Sequence, residues 1–452
     1  MLGSRRASTE DLLKDRDRRI KELERENAEL KERVATIESE VNKLRADLAF
    51  YQNPHTPPSQ RKVKPKRKRR GGGKRGAPKG HPGTTRPTPE PDEYREATCS
   101  NCPNCTSANI KRTGSKKKLL EDIPEIVRTR TVEYEVEGYE CGDCGAVFWG
   151  VHQDLPKTGN FGINLMVTVV MIKFLLRGVL RKGVGFLATC FGMKLAPATF
   201  NEIVGRVADA AQAEYEALRL RIRESGVVHI DETGISVLGK NRWIWIFRSG
   251  NDVLFVIRPS RGHDVLYEVL GKDYPGIVVC DGWRAYNLLR FAVLQRCWAH
   301  LLREVEAVSD SVHGRNFYGE LHDIFEEIKR YNSRDHSEKS MQRKFAELEG
   351  KLDRIVRYYS RYPDLRKAIT YISNGKGNWF TCIIRPEAEP TNNAAEQPLR
   401  EMVIVRKIIG AIRSERGCRV YERLGSLIAT WTLRGEDVSS NLKGIMVREA
   451  LA

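Results

Sequence analysis

Four short apolar segments between Gly226 and Asp281 constrain the fold of this chain more than any other feature. They are rich in Val, Ile and aromatic residues, and Gly, Pro, Asn or Asp bounds each of them, as is typical of β-strands. Short polar links join the first three, which predicts an antiparallel meander. The stretch His263–Leu270 has the apolar spacing of a helix, so the fourth strand is predicted to return parallel beside the first.

This arrangement is predicted to place acidic residues at one edge of the sheet. The first and fourth strands end in Asp231 and Asp281, and neighbouring parallel strands end at the same edge. Further along, Glu396 is predicted to lie in the opening turns of a helix that a polar residue at 391–393 can cap. Pro398 in that helix predicts a kink or a short first turn.

The three acids Asp231, Asp281 and Glu396 point to metal-dependent phosphoryl chemistry. Clustered carboxylates repel one another, and a fold tolerates them only with cations present. Mg²⁺ or Mn²⁺ prefers oxygen ligands, and two such ions about 4 Å apart can activate a water or a 3′-hydroxyl for attack at phosphorus. Taken singly, each acid has another interpretation, a turn aspartate before Gly or a glutamate stabilised by a helix dipole. Together, in a basic multidomain chain, they predict a site for two metal ions.

The positive charge of the chain is concentrated in one segment. The net charge is +18, and eleven of the nineteen residues from Arg61 to Lys79 are Lys or Arg, with none acidic. This excess indicates a polyanionic partner, either nucleic acid or an acidic membrane surface. Residues 53–95 are predicted to form a disordered arm, with a merely solubilising tail as the alternative. The predicted contacts to DNA phosphates are Lys66, Arg67, Lys68, Arg69, Arg70, Lys74 and Arg75.

Residues 10–52 carry heptad spacing. One seam position holds Leu13, Ile20, Asn27, Val34, Val41 and Leu48, and the other holds Leu23, Leu30, Ile37 and Leu44. β-Branched residues at the first position with leucine at the second favour a parallel two-stranded coiled coil, in which the lone Asn fixes the register. The prediction is therefore a homodimer, and the alternative is a helix that packs on its own domain.

Two Cys-x-x-Cys pairs lie within a predicted domain at 96–155. Four thiolates, from Cys102, Cys105, Cys141 and Cys144, suit a tetrahedral Zn²⁺, and a closed four-sulfur shell is structural. Cys99 is an alternative ligand for the first pair. Ten cysteines in a cytosolic chain favour metal binding or free thiols over disulfides, so reduced cysteines without metal remain the other interpretation.

The pattern turns helical at 160–223. One helix is predicted over Leu165–Arg177, a second over Val184–Phe191, and a third from Pro197, since proline suits a first helical position. Two helices joined by a glycine-containing turn are similar to a DNA-binding helix-turn-helix, although any small helical bundle shares this pattern. The longest apolar stretch, Leu165–Leu176, is too short to span a membrane. With no secretory signal visible, the expected compartment is the cytoplasm, without membrane contact.

A second half of the core is predicted behind a helical insertion. Residues 294–297 form a short fifth strand that completes a first core segment, 224–302. The charged helical region at 303–388 interrupts it, and the core resumes over 389–452 with Glu396 and an amphipathic helix at Tyr421–Leu433.

Four motifs carry a family resemblance: His229-Ile-Asp231-Glu-Thr, Cys280-Asp281-Gly-Trp, Arg296-Cys-Trp-Ala-His300 and Thr391-Asn-Asn-Ala-Ala-Glu396. Through them, and over nearly its whole length, the chain resembles the large (TnpC-type) DDE transposases of the insertion sequence 66 family. The resemblance implies a multidomain protein with an α/β ribonuclease-H-like core and a helical insertion, preceded by a coiled coil, a four-cysteine zinc finger and a helix-turn-helix-like domain.

The same resemblance implies roles for the residues and partners. Asp231, Asp281 and Glu396 would be the metal-binding triad that cuts transposon ends and joins the 3′-OH to double-stranded target DNA. His300 would help to position the DNA or the site, with a structural capping role as the alternative. Small accessory proteins of the same element are further expected partners, and the location would be nucleoid-associated.

Two other functions compete with the transposase. The first is a non-catalytic regulator that dimerises through the coiled coil and binds DNA through the arm, the zinc finger and the helix-turn-helix. This function would explain the first two hundred residues but would leave the strand-end aspartates unexplained. A structure-specific nuclease on the same fold would share the metal ions but would not join DNA ends. In the enzyme, the carboxylates should be needed for cleavage and dispensable for DNA binding.

Overall fold

The computed structural model describes residues 9–52, 90, 100–101, 104–109, 111 and 129–451, with side chains in the first range described for 18–41. The chain divides into two units, Met1–Glu121 and Asp122–Ala452. Two of the cysteines considered as zinc ligands, Cys99 and Cys102, lie outside the described residues. The same holds for the residues of the arm that are predicted to contact DNA, which are Lys66, Arg67, Lys68, Arg69, Arg70, Lys74 and Arg75.

The first unit contains one long helix, α1 (Thr9–Gln52). The helical state predicted from the heptads is confirmed. The apolar seam residues with described side chains are 37–56% exposed: Ile20, Leu23, Leu30, Val34, Ile37 and Val41. A single helix of this kind gains its stability mainly by packing an apolar face on a partner. Pairing with a second copy stays a prediction.

The second unit contains an antiparallel hairpin of β1 (Gly138–Glu140) and β2 (Val147–Trp149). Its main sheet has five strands in the order β5-β4-β3-β6-β7. They are β3 (Val227–Val237), β4 (Lys240–Ser249), β5 (Asp252–Arg258), β6 (Ile277–Cys280) and β7 (Val293–Arg296). Strands β3 to β5 pair antiparallel, and β6 pairs parallel with β3 and with β7. The predicted meander and parallel return are confirmed.

Helices surround this sheet. Before it come α2 (Ile163–Phe174), α3 (Leu180–Phe191), α4 (Pro197–Ala210) and α5 (Gln212–Glu224). The crossover helix is α6 (His263–Leu270), with the predicted bounds. After β7 come α7 (Trp298–Glu306), α8 (Val312–Asn332), α9 (Glu338–Tyr359), α10 (Arg366–Asn374), α11 (Thr381–Ile384), α12 (Asn393–Ile409), α13 (Glu415–Arg434) and α14 (Val438–Leu451). No described helix is both long and apolar enough to cross a membrane.

The sheet is buried on both faces because alternate residues of its strands point to opposite sides. On β4, Trp245 and Phe247 join the largest hydrophobic cluster, together with residues of α2 to α6, α13 and α14. Ile244 and Ile246 join a second cluster with α12 and part of α13. Helices α7 to α11 form a third cluster around Trp298. The resulting architecture is a mixed α/β core with helices on both faces.

Helix α13 covers the backbone of β5, the strand at the sheet's edge. Three of its side chains, each one turn from the next, accept hydrogen bonds from alternate backbone N–H groups of β5. Thr430 accepts from Val253 at 3.0 Å, Ser426 from Phe255 at 2.7 Å, and Glu422 from Ile257 at 2.7 Å. All three acceptor side chains belong to buried residues. The edge is thus closed to pairing with another strand.

The Thr430→Val substitution tests these edge contacts without a change of shape. It leaves the buried Val253 N–H without an acceptor, and we expect it to lower the free energy of unfolding by about 1–3 kcal/mol. Thr432→Val on the same helix is the matched control, since that hydroxyl donates only to the Ile428 carbonyl of its own helix. Urea unfolding measures both. Equal losses in the two variants would contradict a stabilising role for the edge contacts.

Pro398 lies inside α12, which remains one continuous helix in spite of it. A proline has no N–H, so the carbonyl four residues earlier, that of Ala394, loses its helical donor. The Arg248 guanidinium, at the end of β4, donates to this carbonyl at 2.7 Å. A contact from a distant strand therefore replaces the missing helical hydrogen bond, and the helix does not stop at the proline.

Candidate active site

Asp231 and Asp281 lie just beyond the point where the parallel pairing of β3 with β6 ends. The prediction that the first strand ends at Asp231 is wrong, because β3 continues through this residue to Val237 and stays paired with β4, whereas Asp281 directly follows the last residue of β6. The register of β3 with β6 pairs Val227 with Ile277 and His229 with Val279, and each aspartate follows two residues after this last pair. They are 9% and 8% exposed, respectively. The adjacency that the sequence predicted for these two residues rests on this register.

Backbone N–H groups fix one oxygen of each aspartate. The N–H of Glu232 donates to Asp231 Oδ1 at 2.9 Å, and the N–H of Trp283 donates to Asp281 Oδ1 at 2.8 Å. The other carboxylate oxygen of each residue is left for a further ligand or contact. Both side chains are therefore oriented before any ligand binds.

Glu396 lies in the first turn of α12, which packs against β3. Its side chain is 13% exposed and is surrounded by basic groups. Arg303 Nη2 lies 2.9 and 3.0 Å from its two carboxylate oxygens. His300 Nδ1 lies 3.6 Å from Glu396 Oε1, and Arg400 Nη2 lies 3.8 Å from Glu396 Oε2. The structure thus brings His300, a predicted site residue, next to the predicted third acid.

Electrostatics link the acids into one cluster. The pKa of Asp231 is raised well above its ordinary value, first by burial and then by the charges of Glu232 and Asp281, with a smaller contribution from Glu396. An acid in such surroundings ionises readily only when a cation neutralises its neighbours. A buried set of carboxylate oxygens is also the ligand type that Mg²⁺ and Mn²⁺ prefer. The residues present suit a divalent cation.

A fourth acid, Glu232, belongs to the cluster, although the sequence reasoning missed it. Its Oε1 lies 2.7 Å from Arg261 Nη2, and its Oε2 accepts from the Tyr286 hydroxyl at 2.6 Å. Burial and the nearby Asp281 raise its pKa to about 7, against the lowering effect of Arg261. The sequence did contain a sign of it, since an acidic residue is unusual inside a strand that is otherwise apolar and predicted to be buried. Arg261 lies in a polar loop and carried no comparable signal.

The pKa of Glu232 predicts a pH-dependent stability of the metal-free protein. Because its folded-state pKa of about 7 exceeds the unfolded value of about 4.3, wild-type stability should fall as the pH rises from about 4 to about 8. Glu232→Gln removes the part of this fall that Glu232 contributes, and the part that comes from Asp231 remains. We expect the variant to exceed wild type by about 1–3 kcal/mol at pH 8 and by little at pH 4, in urea unfolding with EDTA.

Glu268→Gln is the matched control with the opposite sign. The hydrogen bond from Arg258 lowers the pKa of Glu268, so its carboxylate stabilises the folded protein at neutral pH and loses this effect as the pH falls. That variant should be less stable than wild type at pH 8. Glu232→Gln would contradict the assignment if it were destabilised at pH 8 in the same way.

One buried and one half-buried side chain hold the loop that follows Asp281. Arg296, 1% exposed, donates to the backbone carbonyls of Asp281 and Trp283 and to the Asn287 side chain. The Tyr371 hydroxyl accepts from the Gly282 N–H at 2.9 Å. A Cβ at position 282 would overlap the Tyr371 ring, so this close approach requires glycine.

Asn392 connects three elements of the site and corrects one prediction. It precedes α12, yet its side chain makes no capping hydrogen bond. Instead its Nδ2 donates to the Ile230 carbonyl at 2.7 Å and its Oδ1 lies 3.2 Å from His229 Nδ1. Its backbone N–H donates to Cys297 Sγ at 3.1 Å. The predicted cap is wrong for Asn392 because the buried strand beside it competes successfully for the amide.

Cys297, His300 and Glu396 also form a group that could hold a metal ion. One ligand atom from each lies within 4.8 Å of the others. Burial raises the pKa of the Cys297 thiol to about 11, which disfavours the thiolate that a metal ion would require. Cys297 is therefore the least suited of the three to bind a metal ion, and neither Asp231 nor Asp281 belongs to this group.

The predicted zinc ligands are described in part. Cys105 is exposed and belongs to the first unit, whereas Cys141 and Cys144 lie in the loop between β1 and β2. Hydrogen bonds from the backbone at Cys144 and Asp143 lower the pKa of Cys141, which favours its thiolate. Binding of Zn²⁺ by Cys102, Cys105, Cys141 and Cys144 stays a prediction.

The three helices predicted at 160–223 are present as α2, α3 and α4. Gly192, with φ of +67°, ends α3 in the left-handed conformation that favours glycine, and Pro197 begins α4. Both α2 and α4 share the large hydrophobic cluster with the sheet. DNA contact by these helices stays a prediction.

Comparison with known protein families gives one match. A family model described as "Transposase IS66 family" matches residues 158–420, which is more than half of the chain. The matched region contains the sheet, the helical insertion and all four acids of the cluster. A search among curated proteins finds no match.

Proposed function

Because the chain belongs to the IS66 family of transposases, we propose that it cuts DNA at the ends of its element and joins them to target DNA through Asp231, Asp281 and Glu396. A transposase processes DNA and must bind it. The observation that most supports the proposed triad is the shared electrostatic cluster, in which Asp281 and Glu396 both raise the pKa of Asp231. The strand order also suits the proposed ribonuclease-H-like core.

The three acids would hold two Mg²⁺ or Mn²⁺ ions. When bound, such ions supply Lewis-acid activation of the attacking oxygen and neutralise charge at the leaving oxygen. Asp231 and Asp281 contribute carboxylates already oriented by backbone N–H groups. Glu396 contributes a carboxylate from a different element, α12, so the site depends on the packing of that helix against β3.

Basic residues at the same site would bind the DNA. Arg303 holds Glu396 through both oxygens, and the Arg400 side chain is 74% exposed beside it. Arg261 is paired with Glu232 and lies 4.0 Å from Asp281. Guanidinium groups suit phosphate oxygens, so these side chains would orient the scissile phosphate against the carboxylates. We further propose that His300 positions Glu396, in view of the 3.6 Å separation between them.

The remaining domains would support DNA binding and assembly. The exposed seam of α1 supports a coiled-coil homodimer, and the basic arm supports contacts to DNA phosphates. The lowered pKa of Cys141 supports a structural Zn²⁺ in the four-cysteine domain. A helix-turn-helix role for α3 and α4, accessory proteins of the same element and a nucleoid location are parts of the same proposal.

The test is an assay of the full chain on labelled DNA from the ends of the element, with a target plasmid and Mg²⁺ or Mn²⁺. A transposase should cut the end and give joined products, both lost with EDTA. A pre-cut end that carries a 3′-dideoxy nucleotide is the control and should bind without joining. Cleavage without joined products would favour the nuclease. Binding without cleavage, even with the accessory proteins added, would favour the regulator.

A further inference from the structure

Three side chains form a stack that adjoins the carboxylate cluster. The Arg261 guanidinium carbon lies 4.7 Å from the ring centroid of Trp243 and 4.3 Å from that of Trp283. Nη2 of the same guanidinium lies 2.7 Å from Glu232 Oε1 and 4.0 Å from Asp281 Oδ2. This Trp–Arg–Trp stack therefore connects the acids directly to an aromatic surface.

Trp283 is the exposed member of the stack, yet it is firmly held. It is 39% exposed and belongs to none of the three hydrophobic clusters of the described residues. Its indole N–H donates to the Arg261 carbonyl at 3.0 Å, its backbone N–H donates to Asp281, and its carbonyl accepts from Arg296. An exposed aromatic ring that is fixed by hydrogen bonds, without a core to fill, has the properties of a ligand-binding surface.

We propose that Trp283 is a stacking site for an unpaired nucleobase at the DNA end, beside the phosphate that is cut. The inference rests on the proposed function and adds a binding site to it. Proteins bind unpaired strands by combining aromatic rings, which stack on bases, with basic groups that attract the backbone. Trp283 supplies the ring, Arg261 the cation, and Asp281 lies only two residues away.

The ligand is an unpaired base because a base inside a duplex has both faces covered by its neighbours. A base that has lost its partner can leave the stack and present a face to Trp283, whereas a paired terminal base is held in line with the helix axis. An indole ring stacks on any base, so the site should tolerate changes of sequence at that position. The DNA end would have to open by one or two base pairs next to the carboxylates.

The test compares the equilibrium binding of three DNA ends to the full chain, measured by fluorescence anisotropy with Ca²⁺ in place of Mg²⁺. One end is fully paired, a second has two unpaired nucleotides on one strand or the other, and a third has the same overhang without its bases. Wild type should bind the unpaired end about 10- to 100-fold more tightly than the other two. Trp283→Ala should abolish this preference, and Trp283→Phe should retain most of it.

Tyr358→Ala is the matched control. Tyr358 is 53% exposed and stacks with Arg361 at 4.0 Å, as Trp283 does with Arg261, but it lies on α9 in the helical insertion. This variant should keep the wild-type preference. Equal binding of all three DNA ends by wild type, or an unchanged preference in Trp283→Ala, would overturn the stacking site and leave the proposed function intact. A wild-type protein that binds none of the DNA ends would overturn both.

Discussion

Asp231→Asn is expected to reduce DNA end cleavage and joining by about 10³-fold or more while leaving DNA binding intact. The amide keeps the shape of the side chain but removes the charge that a divalent ion requires, and loss of several kcal/mol of transition-state stabilisation corresponds to this factor. Rates of cleavage on labelled end DNA measure the first effect, and gel-shift titrations on the same DNA measure the second. Asp281→Asn should have the same effects, because the register of β3 with β6 places Asp281 beside Asp231 in the same site.

The same substitution should raise the stability of the protein when metal is absent. The pKa of Asp231 is raised in the folded state, so its ionisation costs folding free energy as the pH rises, and an amide avoids this cost. In EDTA at neutral pH the variant should melt above wild type, with the difference vanishing near pH 4. Added Mg²⁺ should raise the melting temperature of wild type more than that of the variant, because an ion stabilises the folded state only in so far as it binds there.

Asp273→Asn supplies the control for both measurements, because Asp273 is an exposed acid of the same core. It should match wild type in activity, in stability and in its response to Mg²⁺. A variant at position 231 that still cuts DNA at the wild-type rate would remove this residue from the proposed triad. A variant that melts below wild type in EDTA would contradict the electrostatic description of the cluster.

Arg296→Lys is the substitution with the second largest expected effect. The guanidinium is buried and spans the carbonyls of Asp281 and Trp283 and the side chain of Asn287. A lysine ammonium cannot reach all of these acceptors from one position, so buried carbonyls lose their donors. We expect a loss of about 3 kcal/mol in the free energy of unfolding.

Catalysis should suffer as well, because Arg296 holds the loop that carries Asp281. A displacement of about 1 Å at a reacting group can reduce the rate about 10²-fold, and cleavage should fall by a similar factor at a temperature where circular dichroism shows a folded variant. Arg290→Lys, at an exposed position of the segment between β6 and β7, is the control and should change stability by less than about 0.5 kcal/mol. Wild-type stability and activity in Arg296→Lys would show that the loop does not depend on the guanidinium.

The central sheet could be predicted because its signals are local. Runs of Val, Ile and aromatic residues marked the strands, and the apolar spacing of His263–Leu270 marked the crossover helix. The adjacency of Asp231 and Asp281 was expected because both were predicted to end neighbouring parallel strands; the register of β3 with β6 places them together although β3 itself continues to Val237. Glu396 was identified from its motif, and its proximity to the aspartates came only with the packing of α12 on β3.

The partners of these acids could not be predicted, since they depend on contacts between distant parts of the chain. Arg303 reaches Glu396 from a helix 93 residues earlier in the sequence. Arg248 replaces the hydrogen bond that Pro398 cannot make, so the expected kink does not break α12. Asn392 looked like a helix cap, but β3 takes its side chain. In each case the tertiary structure decides which of several polar groups lies next to the buried acceptor or carboxylate.

The closure of β5 by α13 has a consequence for how the protein is made. Ribosomes release a chain from its amino end, so all five strands emerge well before residues 422–430 are available to cover the edge N–H groups. Until then the nascent core carries an open strand, which is the feature that promotes association between unfinished chains. A message cut short within α13 would therefore yield an aggregating product instead of a shorter DNA-binding protein.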